Sequence, residues 1–243
     1  MPCFDGSIFS CALGMTTSLR ISLPDRFLIE QESAALPVLY LLHGLSDDHT
    51  AWSRRTSVER YAESAGIAVV MPEVQRSFYT DMVYGLRYFT YIAEELPALC
   101  RRLFPLSERR EDTFIAGNSM GGYGALKAAL RFPERFGAAA SFSGAVDVKK
   151  RFDAHRGEFQ AINNGRLKPE DDLFVLSEQI DPAASPRLFM TCGLSDFLLT
   201  DNRQLRDRMI SRGLPLSYDE QEGGHDWEYW DNRIGELIPR LIG

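Results

Sequence analysis

The sequence predicts an α/β protein with a mostly parallel central sheet and helices on both faces. Short apolar runs bounded by turn residues alternate along the chain with stretches of helical periodicity. The 243 residues are enough for a sizeable core, and the hydrophobic (44%) and charged (25%) fractions are those of ordinary globular proteins. Because repeats and low-complexity segments are absent, we expect one domain over residues 1–243.

Five apolar runs are expected to form the buried parallel strands. They are Val38–Leu42, Ile67–Met71, Thr113–Ala116, Ala138–Phe142 and Leu188–Thr191. Ahead of them, SIFSCALGMTTSLRISLP alternates well enough to predict two antiparallel edge strands with Gly14 near their turn. The run LSYDE near the carboxyl end is expected to be the last strand.

Helical patterns fill the connections between these strands. In TSVERYAESAG, a capping-box pair of Thr56 and Glu59 and a stop at Gly66 predict a helix between the first two parallel strands. Pro97 is expected either to begin a new helical segment or to kink the helix that contains it. The other predicted helices lie near Tyr88–Leu103, after Ser119, and near Asn202–Arg212, where Gly213 ends the helix.

The segment 145–185 is polar and much longer than the ~2–6 residues of an ordinary connection. We therefore expect a small insertion above the sheet, near the active site. Two interpretations stay open, because such a segment either shapes substrate access or only decorates the surface.

A GxSxG motif lies between the strand TFIA and the helical run AALRF. On a strand-to-helix turn, this motif is typical of a nucleophile elbow, which holds a serine in a strained conformation with its hydroxyl exposed. The motif places Ser119 between Gly117 and Gly121, which leave room for the turn. Ser119 is therefore the candidate nucleophile, and a purely structural glycine-rich turn is the alternative.

A serine nucleophile needs an imidazole to accept its proton and a carboxylate to orient that imidazole. The chain has four histidines, and His225 lies in a GGHDW loop after the last predicted strand. We predict that His225 is the base. His43 is expected to support the HGLSDD turn, and His155, in the insertion, is a weaker candidate for contact with substrate.

The orienting carboxylate should lie between the serine and the histidine, just beyond the carboxyl end of a strand. Asp196, after LFMTCGLS, fits best, and Asp147 is its rival. Asp201 is expected to be the N-cap of the helix NRQLRDRM. Asp226 is adjacent to His225 in sequence, which does not by itself direct its side chain to the imidazole.

Backbone N–H groups are needed to bind the oxyanion of a tetrahedral intermediate. The expected donors are the amide of Met120, which follows the nucleophile, and the amide of Leu45, in the loop after an early strand. Gly44 allows a tight approach there. The alternative is that HGLSDD is only a turn.

Composition and residue spacing argue against several other functions. The net charge of -7 and the lack of a dense Lys/Arg cluster make nucleic acid an unexpected partner. We expect no metal site, because no His, Cys, Asp or Glu cluster has ligand-like spacing, and no disulfide framework, because the four cysteines lack a paired spacing. With no apolar run of about 18 residues, we expect a protein of the cytoplasm without a membrane anchor.

Together these motifs resemble the esterase D family of the α/β-hydrolase superfamily, which includes S-formylglutathione hydrolases and bacterial tributyrin esterases. The resemblance spans PVLYLLHGLSDDHTAW, SFYTDM, GNSMGGYGALKAAL, CGLSDF and GGHDWEYW, and the tributyrin-esterase branch is the closer match. It implies an α/β-hydrolase fold and a serine carboxylesterase without a cofactor that acts on short-chain acyl esters. The implied roles are nucleophile for Ser119, acid/base for His225, orienter for Asp196, and oxyanion donors for Leu45 and Met120.

The resemblance also implies four substrate-binding aromatic residues, self-association and two alternative activities. The four residues are Trp52, Phe78, Tyr79 and Tyr84, and the alternative for each of them is packing in the core. The alternatives are an S-formylglutathione hydrolase-type thioesterase and an acyltransferase to an alcohol or sugar acceptor. S-formylglutathione hydrolases usually carry histidine where Asn118 and Tyr123 stand, a departure that favours the carboxylesterase. An inactive binding module of the same fold would lack a triad member, and none is missing here.

Overall fold

An eight-stranded sheet forms the centre of the protein in the residues that the computed structural model describes, 1–25 and 35–242. The strands are β1 (Cys3–Ser10), β2 (Met15–Ser22), β3 (Val38–Leu42), β4 (Ala68–Pro72), β5 (Thr113–Asn118), β6 (Ala138–Phe142), β7 (Arg187–Gly193) and β8 (Leu216–Gln221). Their spatial order is β1-β2-β4-β3-β5-β6-β7-β8. β1 pairs antiparallel with β2, and β2 antiparallel with β4, while the other pairs are parallel. The predicted mostly parallel sheet with an antiparallel hairpin at its edge is confirmed.

Helices cover both faces of this sheet. They are α1 (Ala51–Arg55), α2 (Val58–Ala65), α3 (Leu96–Leu103), α4 (Met120–Arg131), α5 (Arg156–Asn163), α6 (Leu173–Gln179), α7 (Leu199–Ser211) and α8 (Trp227–Ile242). β3 shows how the faces divide, because alternate side chains of a strand point to opposite sides. Tyr40 and Leu42 pack in one core with α3, α4, α6 and α7, whereas Leu39 and Leu41 pack in the other with α2 and α8.

Helix α2 and strand β4 each begin later than the sequence predicted. The N-cap of α2 is Ser57, not Thr56, so the expected capping box is wrong. Gly66 ends the helix in a left-handed conformation (φ 66°), as expected. The amide of the next residue, Ile67, donates to the carbonyl of Ala62 at 3.1 Å. Ile67 is thus part of the helix end, and β4 begins only at the residue after it.

The predicted long helix near residues 88–103 is divided into a helical turn (Tyr88–Thr90), a π-helical turn (Tyr91–Glu95) and α3. Pro97 lies in the first turn of α3, so it begins a new segment. In an α-helix, the amide that proline lacks would have bonded the carbonyl of Ala93. That carbonyl accepts instead from Arg135 Nη1 at 2.7 Å.

The segment 145–185 connects β6 to β7 and contains α5, α6 and two 3₁₀ turns, Val148–Arg151 and Pro169–Asp171. Helix α6 packs against α4, the helix that follows the GxSxG turn. The first part of the segment reaches the carboxyl ends of the strands, because the amide of Ala145 donates to the carbonyl of Ser119 at 2.9 Å. The segment therefore lies beside the elbow.

Candidate active site

The GxSxG turn connects β5 directly to α4, and Ser119 adopts φ 52° and ψ -116° between them. This conformation is strained for a residue with a side chain. The flanking glycines are sterically required. A Cβ at Gly117 would lie 2.5 Å from the backbone carbon of Gly121, and a Cβ at Gly121 would lie 2.4 Å from the carbonyl oxygen of Leu42. The sharp turn that the motif predicted is therefore present.

The backbone of Ser119 is held from several sides. Its amide donates to the carbonyl of Phe142 at 2.9 Å, across to the end of β6. Its carbonyl accepts from the amides of Ala145 at 2.9 Å and Tyr123 at 3.2 Å. These hydrogen bonds hold the strained residue in place, so the hydroxyl has a fixed position.

His225 lies between Ser119 and Asp196. Its Nε2 is 3.0 Å from the hydroxyl oxygen of Ser119, and its Nδ1 is 2.9 Å from Oδ2 of Asp196. Asp196 follows β7 and His225 follows β8, so the parallel sheet brings the three residues to one edge. This is the spacing of a serine, a base and an orienting acid.

The carboxylate of Asp196 is fully buried beneath the imidazole. Burial by itself would raise its pKa, but the hydrogen bond and charge of His225 and the amide of Leu198 hold the pKa below its usual value. The Leu198 amide donates to Oδ1 at 2.8 Å, which leaves Oδ2 for the histidine. Asp196 is therefore ionised near neutral pH.

The other candidate carboxylates are engaged elsewhere. Asp147 lies 3.4 Å from Lys150 Nζ. The expected N-cap role of Asp201 is wrong, because Asp201 lies inside the first turn of α7 and accepts from Lys150 at 2.6 Å. Asp226 accepts from the amide of Tyr229 at 2.9 Å, within the first turn of α8.

Leu45 and Met120 line the same pocket as Ser119. Neither amide donates a hydrogen bond within the described part of the chain. His43 Nδ1 donates to the carbonyl of Gly44 at 2.7 Å, as expected of a histidine that supports this loop. Because a trans peptide directs its N–H opposite to its C=O, this bond also fixes the direction of the Leu45 amide.

A pocket of about 420 Å³ opens above the serine. It is bordered by the loop after β3, by the start of the segment 145–185, and by the loops after β7 and β8. Its lining residues are Gly44, Leu45, Ser46, Asp47, Arg76, Phe78, Asn118, Ser119, Met120, Ala145, Arg151, His155, Phe197, Leu198, His225, Trp227 and Trp230. His155 is among them, so this histidine of the insertion does reach the pocket.

Of the four aromatic residues expected to bind substrate, Phe78 lines the pocket and three do not. Trp52 is buried, with its indole N–H donating to the Leu42 carbonyl at 3.0 Å. Tyr79 is buried and its hydroxyl donates to the His43 carbonyl at 2.8 Å. Tyr84 is 64% exposed outside the pocket. The polar atom of each buried ring donates to a backbone carbonyl, and neither ring lines the pocket. This corrects the expectation that Trp52 and Tyr79 bind substrate.

Several lining residues were not among the predicted site residues. Phe197 directly follows Asp196, and Trp227 and Trp230 begin α8 directly after the histidine loop. The sequence carried a signal for them, since DF and HDWEYW place aromatic residues beside two predicted triad members. Arg76, in a turn after β4, and Arg151, at the end of a 3₁₀ turn, had no such signal in the sequence.

Two further features concern metals and membranes. The described residues contain no group of three or more His, Cys, Asp or Glu side chains that could hold a metal ion. Cys3, Cys11, Cys100 and Cys192 are all free thiols. In the ranges 1–25 and 35–242, no helix has the length and apolar character that a membrane crossing requires.

Comparison with known proteins agrees with this geometry. The family model described as "Putative esterase" matches residues 10–241. The acetyl esterase of Caldicellulosiruptor saccharolyticus is 30% identical over 237 residues, which cover 90% of this chain and 89% of that protein.

Solved structures show the same similarity over the whole chain. FphF, a fluorophosphonate-binding serine hydrolase of Staphylococcus aureus, superposes with a TM-score of 0.92 at 35% identity, covering 100% of this chain and 98% of that one. The S-formylglutathione hydrolase FrmB of the same organism gives a TM-score of 0.89 at 34% identity, covering 100% of this chain and 99% of that one. The predicted α/β-hydrolase fold and the predicted ester hydrolase activity are confirmed, and the chain belongs to the esterase family.

Proposed function

We propose that this protein is a serine carboxylesterase that hydrolyses short-chain acyl esters through an acyl-enzyme on Ser119. The observation that carries the proposal is the line of hydrogen bonds from Ser119 Oγ to His225 Nε2 (3.0 Å) and from His225 Nδ1 to Asp196 Oδ2 (2.9 Å). These distances lie within the reach that a base needs to accept a proton from a nucleophile.

In the acylation half-reaction, Ser119 Oγ attacks the ester carbonyl carbon while its proton moves to His225 Nε2. The carbonyl oxygen becomes an oxyanion, and the amides of Leu45 and Met120 donate to it. The bond between the carbon and the alcohol oxygen then breaks, and His225 gives its proton to that oxygen. The products are the free alcohol and the acylated serine.

Deacylation repeats these steps with water. His225 removes a proton from a water molecule, which attacks the acyl carbon, and the same amides stabilise the second oxyanion. When the bond to Ser119 Oγ breaks, the serine recovers its proton from His225, and the carboxylic acid leaves. Asp196 stays ionised throughout, holds the imidazole in one tautomer and stabilises the imidazolium.

A fluorophosphonate probe tests this assignment. The wild-type protein should be labelled on one residue, Ser119, with loss of esterase activity. Ser119→Ala should take up no label and should lower kcat by on the order of a thousandfold or more, because triad members act as a unit. Labelling that survives the substitution, or an active alanine variant with an unchanged fold, would refute the proposal.

A thioesterase is the second candidate, and the similarity to S-formylglutathione hydrolases favours it. FrmB is 34% identical in sequence, and the S-formylglutathione hydrolase of Paracoccus denitrificans is 28% identical over 251 residues. Both thioester and oxygen ester hydrolysis pass through the same acyl-serine, so kcat/KM for each substrate distinguishes them. S-formylglutathione exceeding every simple ester by more than a hundredfold, or ~2.7 kcal/mol of transition-state discrimination, would identify a thioesterase.

A further inference from the structure

Three aromatic rings form one wall of the pocket, since Phe197 directly follows Asp196, and Trp227 and Trp230 lie in the first turn of α8 after His225. The ring of Phe197 lies 4.7 Å from the imidazole of His225, between centroids, and the ring of Trp230 lies 5.0 Å from it. Trp227 packs edge-on against Trp230 at 5.1 Å. We call these three rings the aromatic wall.

Phe197 is the exposed member of this wall. Its side chain is 68% exposed, whereas Trp230 is 4% exposed. Two hydrogen bonds nevertheless close a turn around the backbone of Phe197. The Asp196 carboxylate accepts from the amide of Leu198 at 2.8 Å, and the Asp196 carbonyl accepts from the amide of Leu199 at 3.1 Å. An exposed ring on a fixed backbone offers apolar contact at a low cost in conformational entropy.

The position of the wall assigns it to one portion of the substrate. In the proposed mechanism, His225 Nε2 must give its proton to the departing alcohol oxygen, so that oxygen lies against the imidazole. The alcohol portion of the ester therefore leaves on the side of the imidazole, where Phe197 and Trp230 pack. The acyl portion then lies against the residues of the segment 145–185 that line the pocket, which are Ala145, Arg151 and His155.

The chemistry of the wall favours an apolar ring over a hydroxylated one. Its only polar atoms are the indole nitrogens of Trp227 and Trp230, and the Trp230 nitrogen is buried without a partner in the described part of the chain. A sugar brings several hydroxyl groups that each need a partner when water is excluded. A planar apolar ring needs none, and it gains stacked or edge-on contacts with centroids about 4.5–7 Å apart.

We propose that Phe197 is a specificity-determining residue that binds an apolar ring in the alcohol portion of the ester. This inference rests on the proposed function. It adds that, for a fixed acyl group, aryl or benzyl-type alcohols are preferred over alkyl and sugar alcohols of similar reactivity.

The test compares benzyl acetate, propyl acetate and acetylated glucose in the wild type, in Phe197→Ala and in Leu194→Ala. Leu194 is the matched control, since it is an apolar residue of the same loop, 47% exposed, that does not line the pocket. Intrinsic ester reactivity cancels, because the same esters are compared in every variant. All three esters give the same acetyl-Ser119, whose hydrolysis is measured separately after a burst with p-nitrophenyl acetate.

In Phe197→Ala, the ratio of kcat/KM for benzyl acetate to that for propyl acetate should fall about two- to tenfold, the range of an aromatic pair. Hydrolysis of the acetyl-enzyme should stay within twofold of wild type, and Leu194→Ala should change neither quantity. An unchanged ratio would overturn the proposal. So would an equal loss for both esters with slowed deacylation, which would mean that Phe197 only supports His225.

The sugar ester and the wild-type controls complete the design. A loss for acetylated glucose as large as that for benzyl acetate would overturn the choice of an apolar ring. If the wild type hydrolysed none of the esters faster than Ser119→Ala, the proposed function itself would fail. That result is distinct from an active enzyme whose benzyl-to-propyl ratio does not respond to Phe197→Ala.

Discussion

Lys127 Nζ lies 3.0 Å from Asp171 Oδ1, and the ammonium group is fully buried. It also donates to the hydroxyl of Thr80 at 2.7 Å, and the hydroxyl of Tyr123 donates to the Asp171 carbonyl at 2.7 Å. Burial lowers the pKa of Lys127 to about 8, although the carboxylate of Asp171 opposes this shift. The Lys127–Asp171 pair connects the segment 145–185 to α4, the helix that begins directly after the candidate nucleophile.

Lys127→Met should destabilise the protein by about 3–5 kcal/mol, because it leaves a buried carboxylate without its cation. The double variant Lys127→Met, Asp171→Asn should recover part of this loss. The measurement is the free energy of unfolding from urea titration. Arg54→Met is the control, since Arg54 lies 3.5 Å from Asp48 and the two side chains are 54% and 47% exposed, so it should cost about 1 kcal/mol or less. Equal losses in Lys127→Met and Arg54→Met would contradict the prediction.

The features that the sequence predicted well depend on short segments or on the topology of the sheet. Five residues, GNSMG, specify the strained turn, because their glycines are sterically required on both sides of Ser119. Asp196 and His225 are 29 residues apart, yet both follow neighbouring parallel strands. Because such strands end at the same edge, chain order was enough to predict that the two side chains would meet.

The features that the sequence did not predict depend on side-chain direction in the folded protein. Trp52 and Tyr79 lie in segments close to the site, but hydrogen bonds to backbone carbonyls turn their rings into the core. Asp201 precedes a helical pattern like an N-cap, yet the helix begins earlier, at Leu199, and the carboxylate of Asp201 accepts from Lys150 at 2.6 Å. The ring of Phe197, in contrast, lines the pocket, and the bond from the Leu198 amide to the carboxylate of Asp196 fixes the backbone around it.

Asp196→Asn should lower kcat by about 10⁴-fold, since a neutral amide holds the imidazole in the wrong tautomer and stabilises the imidazolium poorly. Steady-state kinetics with p-nitrophenyl acetate, together with a thermal unfolding curve, provides the measurement. Asp147→Asn is the control, since Asp147 lies near Lys150 and away from the imidazole, and its kcat should stay near that of the wild type. A severe loss in Asp147→Asn with a mild one in Asp196→Asn would mean that the acid had been misassigned.

The pH profile of kcat/KM should show one ascending ionisation near neutral pH and then a plateau. A histidine base must be neutral to accept the serine proton, and histidine is the side chain that titrates in this range. Asp196 adds no second step above pH ~5, because its pKa is held below its usual value and it is already ionised there. The profile is measured with a neutral ester. A rate that does not change from pH ~5 to ~8 would argue against a histidine base.

The pocket should limit the length of the acyl group that the enzyme accepts. On the acyl side, the pocket is bordered by Ala145, whose amide bonds the carbonyl of Ser119, and by Phe78, Arg151 and His155. Each methylene that fits should gain at most ~0.8 kcal/mol of burial, up to about fourfold in kcat/KM. A methylene that instead meets the Arg151 guanidinium gains little, and one that does not fit costs the near-attack geometry. We therefore expect a preference for acetyl to butyryl esters and little activity beyond about eight carbons, an order-of-magnitude limit from this burial argument.

A series of p-nitrophenyl esters of increasing chain length measures this limit, and Arg151→Met tests its cause. Asp201 keeps Lys150 at 2.6 Å when Arg151 is removed, so no carboxylate is left without a cation. An apolar side chain at position 151 should shift the optimum by one or two methylenes toward longer acyl groups, with up to about fourfold gain for each. Arg156→Met, an exposed arginine of the same segment outside the pocket, should leave the optimum unchanged. A wild-type kcat/KM that keeps increasing through long-chain esters would show that the pocket does not end at Arg151, and would favour a lipase over a short-chain esterase.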